Sequence, residues 1–388
     1  MYQVKTYNAI AQRGLDELTA DYQVNQEGAA VDAYMIRSVD LHDHHFPDSL
    51  KVIARCGAGF NNIPLHVASE KGIAVFNTPG GNANAVKELI IAMMIATNRN
   101  LIGAAEWSAQ AAPGADITLR TEKQKTQFKG QEILGKRLAV IGLGHVGSLV
   151  ANAAVDLGMD VIGYDPYLSV ESAWNLSRDI KRAGTIAEAI KGADFVTVHV
   201  PKNEETTGLI GVPEFNEMKP TAVLLNYSRL GIVDNAAAVK VLANDQLRHY
   251  CTDFSDEQIL DNDKVTITPH IGGSTGEAEA NCSLLAAREI MEFLENGNTV
   301  NAVNLPNVKM PFASPYRITV IHRNIPNMLG QITTVLAGAG LNIENLVNRA
   351  KDDYAYTMVD VDRLDQAVVA ALEEIDAVSR VRLIVKEG

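Results

Sequence analysis

Short apolar runs alternate with helix-length segments between residues 137 and 268. Read as strands, these runs are RLAVIGL, DVIGYD, DFVTVHV, AVLLNYS, YCTDF and VTIT. Because they lack internal polar alternation, they predict a parallel sheet that is covered by helices on both faces. A similar region precedes it, with VDAYMI, KVIA and GIAVFN as strands and IPLHVASEKG as a helix that ends in glycine. The pattern therefore predicts two doubly wound parallel-sheet domains of the α/β class.

Two helical patterns are placed to connect these domains. One covers residues 85–100, and the other follows a capping box of Ser274 with Glu277 and ends at Asn296-Gly297. If both helices cross between domains, the first domain is assembled from two pieces of the chain. We therefore predict one domain from residues 1–97 and 275–304 and a second from residues 98–274.

The last part of the chain has a different order of elements. A proline-containing connector over residues 304–315 precedes a strand, a helix, two strands, a helix and a final strand. This βαββαβ order predicts a small ferredoxin-like domain over residues 316–388.

Composition narrows the class of protein. The 388 residues are 47% hydrophobic and 21% charged, with a net charge of −13 and three widely separated cysteines without metal-ligand spacing. These values predict a globular cytoplasmic protein with reduced thiols, and they argue against nucleic acid or a membrane as the partner. A small anionic substrate remains compatible with the negative net charge if a few arginines lie close together in the fold.

A glycine motif carries the first chemical signal. Gly142, Gly144 and Gly147 follow a predicted strand and open a helix, and Asp165 ends the next strand. The glycines allow a tight turn, the approach of a diphosphate and close helix packing, while the acid can bind a ribose hydroxyl and would repel a 2′-phosphate. The motif predicts NAD rather than NADP.

Titratable residues follow three other strands. His270 comes after VTIT, Arg229 after AVLLN and the acidic segment containing Glu257 after YCTD. Ligands of a doubly wound sheet bind beyond the carboxyl ends of its strands. A histidine with a carboxylate beside it can move a hydroxyl proton, and an arginine can bind a carboxylate. Together they predict a hydride-transfer site.

At this point the sequence resembles the D-isomer-specific 2-hydroxyacid dehydrogenases, and among them the members that have an ACT domain and oxidise 3-phospho-D-glycerate. The resemblance rests on RCGAGFNNI, FNTPGGNANAVKE, GLGHVG, HVP, NYSRLGIVD, TDFSDE and TPHIGGST. It implies two Rossmann-like domains plus an ACT domain, with Arg229, Glu257 and His270 as catalytic residues. It implies cofactor contacts at Gly142, Gly144, His145, Val146, Gly147, Asp165, His199, Val200, Pro201, Tyr227, Ser228, Asp253, Gly272 and Gly273. Substrate contacts are implied at Arg37, Ser38, Arg55, Gly57, Ala58, Gly59 and Asn84.

The chain departs from the family pattern near the site. The acidic segment is one residue shorter than usual and lacks a proline, so Asp256 stays an alternative to Glu257. Leu230 also replaces the glycine that usually follows the arginine. The alternatives are another D-2-hydroxyacid dehydrogenase, acting on glyoxylate, hydroxypyruvate or D-lactate, and a scaffold that senses NAD without turnover.

The C-terminal domain carries a further implication of the resemblance. His322, Asn324 and Asn342 match positions that bind L-serine as an effector, although Asn327 stands where the family usually has glycine. A domain that serves only to form a homodimer or homotetramer is the alternative. No metal is expected, because the histidines at 42, 44 and 45 lie in a polar stretch that reads as a solvated loop.

Overall fold

The fold is described by a computed structural model that covers residues 1–388 except 112, 115, 364, 365, 387 and 388. The chain forms two compact units, one from residues 1–82 and 276–388 and the other from residues 83–275. This division follows how compactly the chain packs and not which parts share a function, so the functional domain boundaries given above stay a prediction.

The amino-terminal part of the first unit is a five-stranded parallel sheet in the order β2-β1-β3-β4-β5. Its elements are β1 (Tyr2–Thr6), α1 (Gln12–Glu17), β2 (Tyr22–Val24), β3 (Ala33–Ile36), β4 (Val52–Arg55), α2 (Leu65–Glu70) and β5 (Ala74–Asn77). The central strand β3 is buried along its whole length, as expected for a sheet covered on both faces. The sequence pattern missed β1 and β2, which carry polar side chains.

The second unit contains a seven-stranded parallel sheet in the order β12-β11-β10-β9-β6-β7-β8. Its strands are β6 (Arg137–Ile141), β7 (Asp160–Tyr164), β8 (Lys181–Arg182), β9 (Phe195–Val198), β10 (Val223–Asn226), β11 (His249–Thr252) and β12 (Val265–Ile267). Its helices are α3 (Ala83–Asn98), α4 (Leu101–Gln110), α5 (Ile117–Gln124), α6 (His145–Asp156), α7 (Val170–Trp174), α8 (Ile186–Ile190), α9 (Val212–Glu217) and α10 (Asn235–Ala243). The strand order reverses between β6 and β9, which is where such sheets form a ligand crevice.

The chain returns to the first unit through α11 (Gly276–Met291), which continues as a π-helical turn over Glu292–Asn296. This helix begins at Gly276, two residues after Ser274, and the predicted capping box of Ser274 with Glu277 stays a prediction. Its end is as predicted, because Gly297 adopts a left-handed backbone with φ of 73°.

The carboxyl-terminal sheet has four antiparallel strands in the order β14-β15-β13-β16. Its elements are β13 (Tyr316–Arg323), α12 (Met328–Gly338), β14 (Ile343–Lys351), β15 (Tyr354–Val361), α13 (Gln366–Glu373) and β16 (Val378–Val385). The predicted start of the last helix at residues 364 and 365 lies outside the described residues. The predicted βαββαβ order is confirmed, and with the two parallel sheets it confirms the predicted fold class.

A buried arginine joins this sheet to the rest of the first unit. Arg317 on β13 donates to both carboxylate oxygens of Asp360, at 2.6 and 3.0 Å. Its other donors bind the backbone carbonyls of Asn296, Met310 and Pro311. Both side chains of the ion pair are 0% exposed. The guanidinium therefore satisfies its donors by holding the connector and the end of α11 against the sheet.

One apolar core continues from the amino-terminal sheet into the carboxyl-terminal one. Ile321, Tyr354, Tyr356 and Met358 pack in the same cluster as Phe293. The helix-free face of the four-stranded sheet is thus covered by the first unit itself. Among the described residues, no helix combines the length and apolar character needed to span a membrane.

Candidate active site

The glycine turn after β6 has the close contacts that its spacing predicts. Gly142 has φ of 90°, and a Cβ there would lie 2.6 Å from the carbonyl oxygen of His199. A Cβ on Gly147 would lie 1.9 Å from the carbonyl oxygen of Gly142. A Cβ on Gly144 would meet no atom within 4 Å, so the turn is open there, and α6 begins at His145. These residues fit a diphosphate at the amino end of a helix.

Asp165 is fixed at the end of β7. Its Oδ2 accepts from the Leu143 N–H at 2.8 Å and its Oδ1 from the Tyr167 N–H at 2.8 Å. A carboxylate offers about four lone-pair positions, so it can still accept hydroxyl donors. The carboxylate is therefore held beside the glycine turn with lone pairs left to accept further donors, and its ribose contact stays a prediction.

His199 follows β9 and lies beside the glycine turn, next to Gly142. Its N–H donates to the Ile141 carbonyl at 2.7 Å, and its Nε2 lies 2.9 Å from Thr197 Oγ1. Burial lowers the pKa of His199 to about 3, so the ring is neutral near pH 7. Val200 and Pro201 follow it at the carboxyl edge of the sheet.

Arg229 follows β10 in a turn held by its neighbours. Asn226 Nδ2 donates to the Arg229 carbonyl at 3.0 Å, and Ser228 Oγ donates to the Val198 carbonyl at 2.7 Å. Arg229 Nη1 donates to the Ser228 carbonyl at 2.7 Å. Burial lowers the pKa of the Arg229 guanidinium, and no carboxylate of the described residues forms an ion pair with it. A partly buried cation without a counter-ion is suited to bind an anionic ligand.

Asp253 organises the loop that carries His270. The carboxylate is 2% exposed. Its Oδ1 accepts from Thr268 Oγ1 at 2.5 Å and from the Ile271 N–H at 2.9 Å, and its Oδ2 accepts from the Gly272 N–H at 2.7 Å. Both carboxylate oxygens thus hold the loop, and the cofactor contact that the resemblance implies for Asp253 stays a prediction.

His270 is exposed and adopts a left-handed backbone with φ of 57°. Its ring contacts Phe254, with 5.0 Å between ring centroids, and it has no hydrogen bond or ion pair to Glu257 or Asp256. Glu257 is exposed, while Asp256 Oδ1 accepts from the Gln258 N–H at 2.9 Å. The structure therefore does not bring the predicted histidine–carboxylate pair together, and the choice of partner stays a prediction.

Three other predicted cofactor residues lie in the second unit. Val146 is partly buried and packs against the core cluster that contains Tyr227. Tyr227 is 6% exposed, and Gly273 is partly buried. Val146 and Tyr227 thus pack in the core of the second unit.

Arg37 follows β3 in the first unit and has a carboxylate partner. Its Nη2 lies 2.6 Å from Glu279 Oε1, with the two side chains 38% and 40% exposed. The N–H of Ser38 donates to Asn8 Oδ1 at 2.9 Å. The predicted substrate arginine is therefore already in an ion pair.

Arg55 holds the glycine turn that follows β4. Its Nε donates to the Arg37 carbonyl at 3.0 Å and its Nη1 to the Gly59 carbonyl at 2.8 Å. Gly57 has φ of 155°, and a Cβ there would lie 2.7 Å from Arg55 Nη1. The Gly57 N–H donates to Thr78 Oγ1 at 2.8 Å. That N–H is thus engaged inside the turn, where an anion contact was expected.

The remaining predicted substrate residues also have partners within their own units. The Ala58 carbonyl accepts from Asn77 Nδ2 at 2.6 Å in the first unit. In the second unit, Asn84 Nδ2 donates to Glu88 Oε1 at 2.8 Å and its Oδ1 accepts from Lys87 Nζ at 2.5 Å. Substrate roles for these residues stay a prediction.

His322 lies inside the carboxyl-terminal domain. It is 2% exposed, its Nε2 is 3.0 Å from Thr357 Oγ1, and its Nδ1 is 2.8 Å from the Arg323 carbonyl. Burial lowers the pKa of His322. Its ring nitrogens are thus occupied by protein groups.

The two asparagines implied for the effector lie at loop positions. Asn324 Nδ2 donates to the Asp352 carbonyl at 3.1 Å, and the Asn342 N–H donates to Asp362 Oδ1 at 3.1 Å. Asn327 has φ of 68°, a conformation that glycine adopts readily, so the departure at this position keeps the left-handed turn. Effector binding at these residues stays a prediction.

No group of three or more histidine, cysteine, aspartate or glutamate side chains within the described ranges is arranged to hold a metal ion. In the histidine-rich loop, His42 Nδ1 lies 2.5 Å from Asp40 Oδ1, and both side chains are well exposed. Sequence reasoning missed Thr268, Phe254 and Glu279. Thr268, two residues before the histidine, and Phe254, directly after Asp253, stood close enough in sequence to predicted site residues to have been suspected.

Comparison with known proteins places the chain in a family. Residues 91–272 match the NAD-binding domain of the D-isomer-specific 2-hydroxyacid dehydrogenases. A D-3-phosphoglycerate dehydrogenase of Haemophilus influenzae is 32% identical over 340 residues, which cover 84% of this chain and 79% of that protein. The same-named protein of Escherichia coli K12 is 31% identical over 331 residues, covering 82% and 77%. This chain belongs to the D-isomer-specific 2-hydroxyacid dehydrogenase family.

The family membership confirms the resemblance drawn from the motifs, and the match of residues 91–272 to an NAD-binding domain confirms NAD as the predicted cofactor. A D-3-phosphoglycerate dehydrogenase of Methanocaldococcus jannaschii is 35% identical over 310 residues, and one of Archaeoglobus fulgidus is 33% identical over 321 residues. The matches span 56% and 58% of the lengths of these two relatives.

Solved structures of other proteins share the fold. An NAD+-bound 3-phosphoglycerate dehydrogenase of Entamoeba histolytica superposes with a TM-score of 0.59 at 24% identity, covering 78% of this chain and 98% of that one. A D-mandelate dehydrogenase of Rhodotorula graminis gives a TM-score of 0.64 at 23% identity, covering 80% and 99%.

Proposed function

We propose that the protein catalyses the NAD-dependent oxidation of 3-phospho-D-glycerate at C2 to 3-phosphohydroxypyruvate, the first step of serine biosynthesis. The names of its relatives support this substrate. The observation that carries an enzymatic role is the loop fixed by Asp253, which holds His270 in a left-handed conformation in the unit that also contains the glycine turn and Arg229.

The chemistry assigns one role to each residue. Bound at the glycine turn, NAD would supply the acceptor for the hydride that leaves C2. An imidazole nitrogen of His270 takes the proton of the C2 hydroxyl, so that the C2–O bond becomes a carbonyl. Arg229 binds the substrate carboxylate, since it has no carboxylate partner among the described residues. Glu257, or else Asp256, stabilises the imidazolium after movement of the acidic segment.

The cofactor residues take the roles that their geometry allows. The open turn at Gly144 and the amino end of α6 would hold the diphosphate, and Asp165 would bind the adenosine ribose. Arg37, Ser38, Asn84 and the turn held by Arg55 would bind the substrate, with the phosphate as the group that needs a cation.

The test measures NADH formation from NAD with 3-phosphoglycerate, D-glycerate and D-lactate as parallel substrates, with hydrazine present to trap the keto acid. Selective turnover of the phosphorylated acid is the expected result. Turnover of an unphosphorylated acid alone would contradict the proposed substrate. NAD binding without turnover of any acid would favour the sensing scaffold.

His270→Asn tests the proton-transfer role. Asparagine tolerates the left-handed backbone at this position, so the fold and the affinity for NAD should be retained. Loss of a positioned acid–base group lowers kcat by about 10²- to 10⁴-fold. Near-normal kcat in this variant would refute the assignment.

Regulation and assembly belong to the same proposal. We propose L-serine as an effector near Asn324 and Asn342, and a homodimer or homotetramer as the assembly. Serine titration of the activity and light scattering on the purified protein test the two statements separately, and activity that does not respond to serine would remove the first. A cytoplasmic location stays a prediction that cell fractionation would test.

A further inference from the structure

The ion pair between Arg37 and Glu279 joins two distant parts of the first unit. Arg37 directly follows β3, and Glu279 lies in the first turn of α11. The nitrogen–oxygen distance is 2.6 Å, and about two fifths of each side chain is exposed, at 38% and 40%. The pair is therefore reachable from solvent, and an anionic ligand can compete with it.

Helix α11 is closely packed against the first unit one turn after Glu279. Cys282 and Ser283, one turn later, are 5% and 0% exposed. A Cβ on Gly14 would lie 2.5 Å from Ser283, which shows how closely α1 packs on this helix. An acidic side chain is also favoured in the first turn of a helix. The carboxylate consequently keeps its place opposite the end of β3.

The charged groups around Cys282 include Arg37 and Arg55, the two arginines that are predicted to bind the substrate. Burial raises the pKa of the Cys282 thiol, while Arg55 and Arg37 oppose that rise and Glu279 adds to it. Both guanidinium groups and the carboxylate thus act on one buried position. Arg55 is engaged with the carbonyls of Arg37 and Gly59, so Arg37 is the arginine whose partner an anion would replace.

Building on the proposed function, we propose that Glu279 is a specificity-determining residue that competes with the anionic substrate for Arg37. A substrate phosphate or carboxylate that reaches Arg37 must displace the Glu279 carboxylate. The remaining negative charge also repels the ligand. The affinity for a multiply charged acid is therefore held below the value that Arg37 alone would give.

Glu279→Gln tests the proposal, with Glu277→Gln as the matched control, since Glu277 is exposed in the same helical turn and has no ion pair with a described residue. Binding of 3-phosphoglycerate is measured by calorimetry in the presence of NADH, which prevents turnover. Because exposed ion pairs contribute modestly, we expect Glu279→Gln to tighten binding about two- to fivefold. The control should match the unmodified protein.

The same comparison in an Arg37→Met background separates competition from an indirect effect. If Glu279 acts through Arg37, adding Glu279→Gln to the Arg37→Met variant should change the affinity for 3-phosphoglycerate less than adding it to the unmodified protein. KM for 3-phosphoglycerate should fall in Glu279→Gln while kcat changes little.

Three results would overturn the inference: weaker or unchanged binding in Glu279→Gln, equal tightening in the control, or equal tightening without Arg37. Absence of measurable 3-phosphoglycerate binding in both the unmodified protein and Glu279→Gln would overturn it as well. The proposed function fails separately, because it requires turnover of 3-phosphoglycerate by the unmodified protein, whereas the titration requires binding alone.

Discussion

Replacing Asp253 by asparagine tests whether the His270 loop is ordered by a buried carboxylate. The substitution keeps the shape of the side chain and leaves one acceptor oxygen. With that oxygen at the Oδ1 position, Thr268 and Ile271 keep their acceptor, but the new amide N–H₂ faces the Gly272 N–H that donated to Oδ2 at 2.7 Å. In the opposite orientation of the asparagine amide, the Ile271 N–H loses its acceptor.

The magnitude follows from these contacts. A hydrogen bond to a charged group contributes about 1.5–3 kcal/mol, and the bonds that remain change from charged to neutral. The loop should therefore lose about 2–4 kcal/mol of local stability. If all of this free energy is lost from the catalytically competent loop, kcat/KM falls by about 30- to 1000-fold.

The assay combines steady-state kinetics with hydrogen exchange in the absence of cofactor. The amides of Ile271 and Gly272 should exchange faster in Asp253→Asn. Thr268→Val serves as a graded control, because it removes one donor to the carboxylate and leaves the charge, and it should cost about 1.5–3 kcal/mol, the contribution of one such bond.

Unchanged exchange at residues 271 and 272 together with normal kcat/KM would refute the reasoning. A raised KM for NAD with unchanged exchange would instead show that Asp253 acts by contacting the cofactor, as the family resemblance implied.

Three further substitutions have defined outcomes. Gly147→Ala places a Cβ where the Gly142 carbonyl oxygen lies 1.9 Å away, so NAD affinity should fall sharply in a titration of NADH fluorescence. Arg317→Met leaves the Asp360 carboxylate buried without its partner and should cost about 3–5 kcal/mol in urea unfolding. The pKa of His199 is about 3 in the folded protein and 6.5 without burial, so unfolded chains bind the proton first and stability falls as pH drops below 6.5. The loss should approach about 1.4 kcal/mol per pH unit, and His199→Gln should show a shallower dependence between pH 7 and pH 5.

The sequence predicts those parts of the fold in which a short stretch of the chain must meet a physical requirement of its own, such as space at a turn or burial of a strand. The spacing of Gly142, Gly144 and Gly147 predicts the turn because two of these positions have no room for a Cβ. Buried strands such as β10 are uninterrupted apolar runs. Strand β2, at the sheet edge, has only three residues and escapes detection because its pattern is too short.

The sequence predicts which types of residue form the site, but it does not predict how they are arranged. The sequence identifies His270 and two candidate carboxylates, but their separation depends on the loop conformation, which three hydrogen bonds to Asp253 determine. Arg37 is identified as a cation, while its partner Glu279 lies on a helix far along the chain. Such long-range partners require the tertiary structure.

The shared apolar core has a consequence for how the carboxyl-terminal domain can evolve and be removed. An independent regulatory module can be deleted or exchanged at its linker. Here Tyr356 and Met358 are part of the same core as Phe293, and Arg317 binds the carbonyls of the connecting segment. A cut at the connector would expose the interior of the remaining protein rather than release an appendage. A signal received on this sheet is consequently received by the unit that carries Arg37 and Glu279.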